Sequence, residues 1–278
     1  MILKNVGRIA GLGLILAGVS TSALAHFQLL YGGSSTRKPG QPVDMAIVFT
    51  HPYSAGPNME MGVPESFVLI HQRGESEPEK TDLSQYLEAV TWKGPENSAA
   101  AYRARIPGSL MRSMGDYTFA LEPAPYYESS EDKYIQQIAK LVMNVGGVPG
   151  AWDQPVGLPT EIVPLDKPYA NWKGGVFRGV VMSDGKPVPF AEIEIEYVNF
   201  APDLEANAWA REPAFEAPHP SLELQSIRAD ANGTFVVGLP RAGWWGIGAL
   251  GVGPDTEHRG KELSQDAVIW VEVTEMPG

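Results

Sequence analysis

The chain contains no cysteine. That excludes disulfides, thiolate metal sites, cysteine nucleophiles and a lipid-modified N-terminal cysteine. Basic residues are few: 21 Lys and Arg stand against 33 Asp and Glu, for a net charge of −12. Nucleic acid is therefore not an expected partner, since phosphate binding needs a basic face. An acidic surface instead attracts cations. Long hydrophobic runs are scarce as well. The one run, Ile9 to Val19, is too short for a bilayer core of about 30 Å, and nothing after it approaches the ~20 apolar residues of a membrane helix. The glycine loops of nucleotide-binding proteins, the G-x-S-x-G serine elbow, the H-E-x-x-H zinc helix and the EF-hand loop are all missing. No enzymatic activity is expected.

What is present begins with an address. A basic head with Lys4 and Arg8 precedes the apolar run, and small residues follow at Ala23 and Ala25. This is the pattern of a secretory signal peptide over residues 1–25. Cleavage after Ala25 makes His26 the first residue of a periplasmic protein that is not membrane-embedded. The α-amine and imidazole of that residue then form a chelate.

Glycine (30) and proline (24) are frequent, turn signals recur at short spacing, and short apolar–polar alternations outnumber helical periods. The expected fold is all-β, two β-sandwich domains in tandem of Ig-like or transthyretin-like size. Residues 26–148 form the first and 175–278 the second, joined by a Pro/Gly-rich linker at 149–174. Expected strands include Phe27–Tyr31, Val43–Thr50, Ser66–His71, Tyr102–Ile106 and Tyr117–Glu122. Leu83–Leu87 reads as a short helical turn. Tyr134–Val145 has a polar head that suggests helix and an end that suggests strand. In Val188–Val198, Ile193 and Ile195 alternate with Glu192, Glu194 and Glu196. Asn232-Gly233 is the strongest hairpin signal.

Pairing Phe27–Tyr31 with Val43–Thr50 about a turn near Lys38 puts Leu30 opposite Ile47 and His26 opposite His51. Opposed residues in such a ladder have Cβ atoms about 5 Å apart. The amine, its own imidazole and a second imidazole make a three-nitrogen grip that resembles the histidine brace of copper proteins. Imidazole-rich sites suit copper, nickel and zinc. Met59 and Met61 supply soft thioethers and Glu60 a carboxylate in the loop after His51. Glu122 and Tyr126-Tyr127 are expected at the same end. His71 is expected roughly 15 Å from the pair, at the strand rise. His219 and His258 read as surface residues. Trp244-Trp245 reads as core, with a sugar platform as the alternative.

Four segments together resemble a known family: Ala25-His26-Phe27, Val48-Phe49-Thr50-His51-Pro52-Tyr53 with Met59-Glu60-Met61, Leu121-Glu122-Pro123-Ala124-Pro125-Tyr126-Tyr127, and Ala242-Gly243-Trp244-Trp245-Gly246. They are similar to a periplasmic domain-of-unknown-function family associated with bacterial nickel and cobalt uptake, whose members resemble the soluble extracytoplasmic component of energy-coupling-factor-type nickel transporters. The resemblance implies binding of nickel or cobalt, with the membrane subunits of a metal transporter as partners and His26 and His51 as ligands. The chain lacks the N-terminal Met-His motif of the transmembrane nickel-binding subunits. The alternatives are a cell-envelope interaction protein built of Ig-like modules and a copper-handling protein with a brace-like site.

Overall fold

The computed structural model describes residues 26–72 and 76–278. The expected signal peptide lies outside the described residues. The strands of four or more residues are β1 (Phe27–Tyr31), β2 (Val43–Thr50), β3 (Ser66–His71), β4 (Glu79–Asp82), β5 (Leu87–Lys93), β6 (Ser98–Ile106), β7 (Gly115–Glu122), β8 (Lys133–Val145), β9 (Thr160–Pro164), β10 (Gly175–Ser183), β11 (Glu192–Tyr197), β12 (Leu224–Arg228), β13 (Thr234–Leu239), β14 (Gly243–Ala249) and β15 (Lys261–Thr274). Helical structure among the described residues is limited to short 3-10 turns, one of them at Ser84–Tyr86. No helix there is long and apolar enough to cross a membrane. The chain is all-β.

Three sheets result among the described residues. One runs β1-β2-β6-β5 and ends on the short strands Ala208–Trp209 and Pro202–Asp203. The largest runs β12-β11-β14-β15-β8-β7-β3-β4. The smallest holds β9 and β13 against β10. The largest sheet is continuous from the first half of the chain into the second, because β8 and β15 pair in parallel from Tyr134 opposite Leu263 to Leu141 opposite Trp270. The stretch expected as a linker contributes β9, which pairs with β10, and Asn171–Trp172, which pairs with the end of β15.

Strands β14 and β15 divide two cores between their faces, as the two-residue period dictates. Trp244, Val268 and Trp270 pack with Phe27, Leu29 and Phe119 in one core. Trp245, Ile247, Ile269 and Val271 pack with Phe177, Phe235 and Ile193 in the other. Both tryptophans of the Trp244-Trp245 pair are buried, and their indole N–H groups donate to the carbonyls of Gly33 and Arg241. They are core side chains, and no sugar platform is formed.

Two expectations need correction. The polar head of Tyr134–Val145 is strand throughout. Its glutamines are buried because the parallel partner strand satisfies them: Gln265 donates to Gln136 at 2.8 Å and Gln137 donates to Asp266 at 3.1 Å. The Asn232-Gly233 turn does not close a hairpin, since β12 pairs with β11 while β13 pairs with β10 in another sheet. Asp230 builds that corner, its carboxylate accepting from the amides of Asn232 and Thr234. Gly233 takes φ +74°, and a Cβ there would meet backbone of Val181 and Val188 at 3.0 Å. Glu194 and Glu196 are buried along with Ile193 and Ile195, and the Tyr53 amide donates to Glu196 on that second face of β11.

Those carboxyls carry a pH signature. Burial first, and then the neighbouring Glu192 and Asp266, push Glu194 up to about 7. Burial pushes Glu196 well above the carboxylate range although it accepts the Tyr53 amide at 2.7 Å. A raised value means that the folded chain holds a proton the unfolded chain releases. The associated stability is full below the ordinary value of 4.5 and is lost as pH rises through the folded value, near 7 for Glu194. Glu194→Gln, which removes the charge that must be buried, should therefore stabilise the protein by roughly 1–3 kcal/mol at pH 8. The gain should vanish near pH 5. Denaturant melts at the two pH values check this, and an equal effect at both would contradict it.

Candidate metal-binding site

The site grows from the β1–β2 hairpin. Phe27 lies opposite Thr50 and Leu30 opposite Ile47, the register that the chain arithmetic requires. Extended by one residue, that ladder brings the imidazoles of His26 and His51 together, with ring centroids 4.6 Å apart and planes 43° from parallel. His51 is buried, and His26 keeps 15% of its side chain exposed. The ring of Phe49 stands 5.4 Å from that of His26 and Tyr126 stands 6.2 Å away, so the pair has an aromatic wall.

A carboxylate that the sequence reading did not single out completes the group. Glu128 Oε2 lies 3.4 Å from His26 Nε2. It arrives there because Tyr126–Glu128 folds back beside β8, with Glu128 opposite Lys133, and because the Gln28 amide donates to Gln137 Oε1 and so ties β1 to the same strand. Ser130 fixes the other oxygen, donating its amide at 2.9 Å and its hydroxyl at 2.6 Å to Oε1. The signal in the sequence was a hairpin: the polar turn Ser129–Asp132 between an aromatic run and a strand.

The electrostatics follow the geometry. Burial holds His26 below the usual imidazole value, against the pull of Glu128 in the opposite direction. The ring is thereby kept neutral around physiological pH, the form in which a histidine ligates a metal. Burial raises Glu128, but its Ser130 hydrogen bonds and the two imidazoles outweigh that, and its carboxyl ends below the ordinary range.

The other expected residues are engaged differently. Met59 is buried in a small cluster with Phe49 and Ile135, and its amide donates to the Phe49 carbonyl at 2.9 Å. Glu60 accepts the Ala100 amide at 2.9 Å. Met61 Sδ accepts from Gln28 Nε2 at 3.7 Å. Glu122 accepts the Ser66 hydroxyl. Tyr127 points to Asp132 and Lys261, while Tyr126 stays at the histidines. His71 stacks on Tyr117, His219 bonds Ser221, and His258 packs on Tyr134. Among the described residues no group of three or more His, Cys, Asp or Glu side chains could hold a metal ion.

Similarity to solved structures is broad and low. The D0-D1 domain of intimin matches 89% of this chain and all of its own at 10% identity and a TM-score of 0.22. The Escherichia coli alpha-2-macroglobulin matches 90% of this chain and 14% of its own at 10% identity and a TM-score of 0.20. A chimeric titin Z1Z2 matches 91% and 97% at 12% identity and a TM-score of 0.21. Likeness at this level bears on neither ligand nor partner. None of the curated proteins matches the chain. One family model does match, over residues 23–253, and its description carries no statement of nickel or cobalt uptake. The match takes in His26, His51 and Glu128, and the chain belongs to the family described as domain of unknown function (DUF4198).

Proposed function

We propose that this is an exported, periplasmic binding protein that captures a divalent transition metal, nickel or cobalt before copper or zinc, and delivers it to the membrane subunits of an uptake transporter. The observation that carries the reading is the contact of the His26 and His51 rings at 4.6 Å beside the Glu128 carboxylate. Two imidazoles are too few for a tight site, and the missing donor is the α-amine that His26 gains when the chain starts there. Of the two ring nitrogens, Nδ1 is the nearer to that amine, so chelation through both closes a six-membered ring with the metal. Nε2 is then free to donate to Glu128, as ligating histidines do when a carboxylate fixes their orientation. The donor set is nitrogen-rich, which suits nickel, cobalt, copper and zinc over calcium or magnesium. The acidic surface raises the local cation concentration without choosing among metals. Calorimetric titration of a chain beginning at His26 with each of the four ions tests the reading. One equivalent of at least one ion should bind. Absence of stoichiometric binding by all four would leave a cell-envelope interaction protein as the better description.

A further inference from the structure

Among the described residues β1 is a terminal strand of its sheet, paired with β2. Every second residue of such a strand turns its backbone N–H and C=O away from the partner. A terminal strand at a chain start frays unless it is tied down. Gln28 is tied by two side chains of the largest sheet. Its amide donates to Gln137 Oε1 at 2.8 Å, and its carbonyl accepts from Trp270 Nε1 at 2.8 Å. All three residues are buried. Gln137 is itself held in one orientation. Its Nε2 donates to Asp266 Oδ2 at 3.1 Å, and a carboxylate only accepts, so Oε1 must face β1. Asp266 is fixed in turn, its Oδ1 accepting the Gly251 amide at 2.7 Å and the Ser264 hydroxyl at 2.6 Å. The Trp270 ring also meets Phe27 edge-on, centroids 6.0 Å apart. Strand β14 leaves room for both rings: a Cβ on Gly246 would lie 2.7 Å from Trp270 and 2.9 Å from Phe27. The two residues that follow His26 are therefore gripped, Phe27 by its side chain and Gln28 by its backbone.

We infer that Gln137 is a positioning residue for the metal site, acting through Gln28, with Trp270 as its counterpart on the Gln28 carbonyl. The inference rests on the proposed binding of a metal by His26 and His51. The amine and ring of His26 chelate as a local unit wherever the chain end goes. What must be held is that unit against His51 on the neighbouring strand, and the hydrogen bonds to Gln28 hold it. Without them the start of β1 is free to leave His51, and metal binding has to restore its order. Fixing the backbone of a single residue corresponds to roughly 5–30-fold in an equilibrium constant.

The test is a double-mutant cycle on the full chain beginning at His26, titrated with nickel, cobalt, copper and zinc. Gln137→Met should weaken binding of the preferred ion at least about fivefold. In a His51→Ala background the amine and ring of His26 bind alone, and the same substitution should change affinity by less than about twofold. A substitution that merely lowered stability would leave the folded protein binding equally well in both backgrounds. Hydrogen exchange of the metal-free protein gives a second readout: the amides of β1 should exchange at least about fivefold faster in Gln137→Met. Trp270→Phe keeps a ring beside Phe27 and removes the donor to the Gln28 carbonyl, and should act in the same direction on both readouts. It carries the test if Gln137→Met does not fold. Metal binding that Gln137→Met leaves unchanged, equal losses in the two backgrounds, or unaltered exchange in β1 would overturn the inference. Absence of metal binding by the unsubstituted chain is a distinct result, and would overturn the metal reading itself.

Discussion

Glu161→Ala is expected to destabilise the protein by about 3–5 kcal/mol, the range for leaving one member of a buried ion pair without its partner. For a chain of this size that corresponds to a fall in melting temperature on the order of 10 °C. Lys140 Nζ lies 2.7 Å from Glu161 Oε2, with 2% and 4% of the two side chains exposed. Burial pushes the ammonium below its ordinary value, and only Glu161 pulls it back. The same carboxylate accepts the amides of Val156 and Gly157 at 3.0 Å. It therefore anchors the run before β9 to the middle of β8, joining the smallest sheet to the largest. Removing it leaves a buried ammonium without its partner and takes the acceptor from two amides. Lys140→Met should cost less, because Glu161 keeps its backbone donors at Val156 and Gly157. Chemical denaturation of the two variants reads the difference directly. A Lys140→Met variant as unstable as Glu161→Ala, or more so, would contradict this division of roles.

This anchor was not legible in the sequence. The run 149–174 is dense in proline and glycine, which reads as a linker, and nothing local marks Glu161 as the partner of Lys140, 21 positions away. Where the signal is local, the reading holds. Alternation in Val43–Thr50 gives its strand, and the turn that follows β1 sets a register that brings His26 to His51. Where a tertiary partner overrides local character, it does not. Gln136 and Gln137 sit in a buried strand because Gln265 and Asp266 lie across from them. Glu196 turns inward where the first half of the chain covers it, the Tyr53 amide donating to its carboxylate. Glu128 lies between these cases. Its hairpin was readable, but its approach to His26 depends on the Gln28–Gln137 bond, which joins residues 109 positions apart.

The second large effect concerns the histidines. With the chain beginning at His26, His51→Ala should weaken binding of the preferred metal at least about 100-fold, because it removes one of three nitrogens. Glu128→Gln should cost about 10–100-fold, the usual penalty for losing the partner that orients a ligating imidazole. The two variants also differ with pH. Desolvation keeps His26 below its ordinary value of 6.5 against the pull of Glu128. Neutralising that carboxylate should lower the His26 value further and so shift the acid limb of metal binding to lower pH. Met59→Leu should leave affinity unchanged, since its thioether packs against Phe49 and Ile135. Competition titrations against a chromogenic chelator, run across pH, give all three comparisons. A larger loss from Met59→Leu than from His51→Ala would move the site into the loop after His51.

The central claim is that His26 binds through its own α-amine as well as its ring. The direct measurement is the affinity of two proteins that differ by one residue: a chain beginning at His26, verified by intact mass, and the same chain with a single alanine ahead of it. Every side chain at the site is common to both. The account predicts tight one-to-one binding by the first and a loss of at least about 100-fold in the second, where that nitrogen is an amide and no longer a donor to metal. Equal affinity in the two proteins would contradict it.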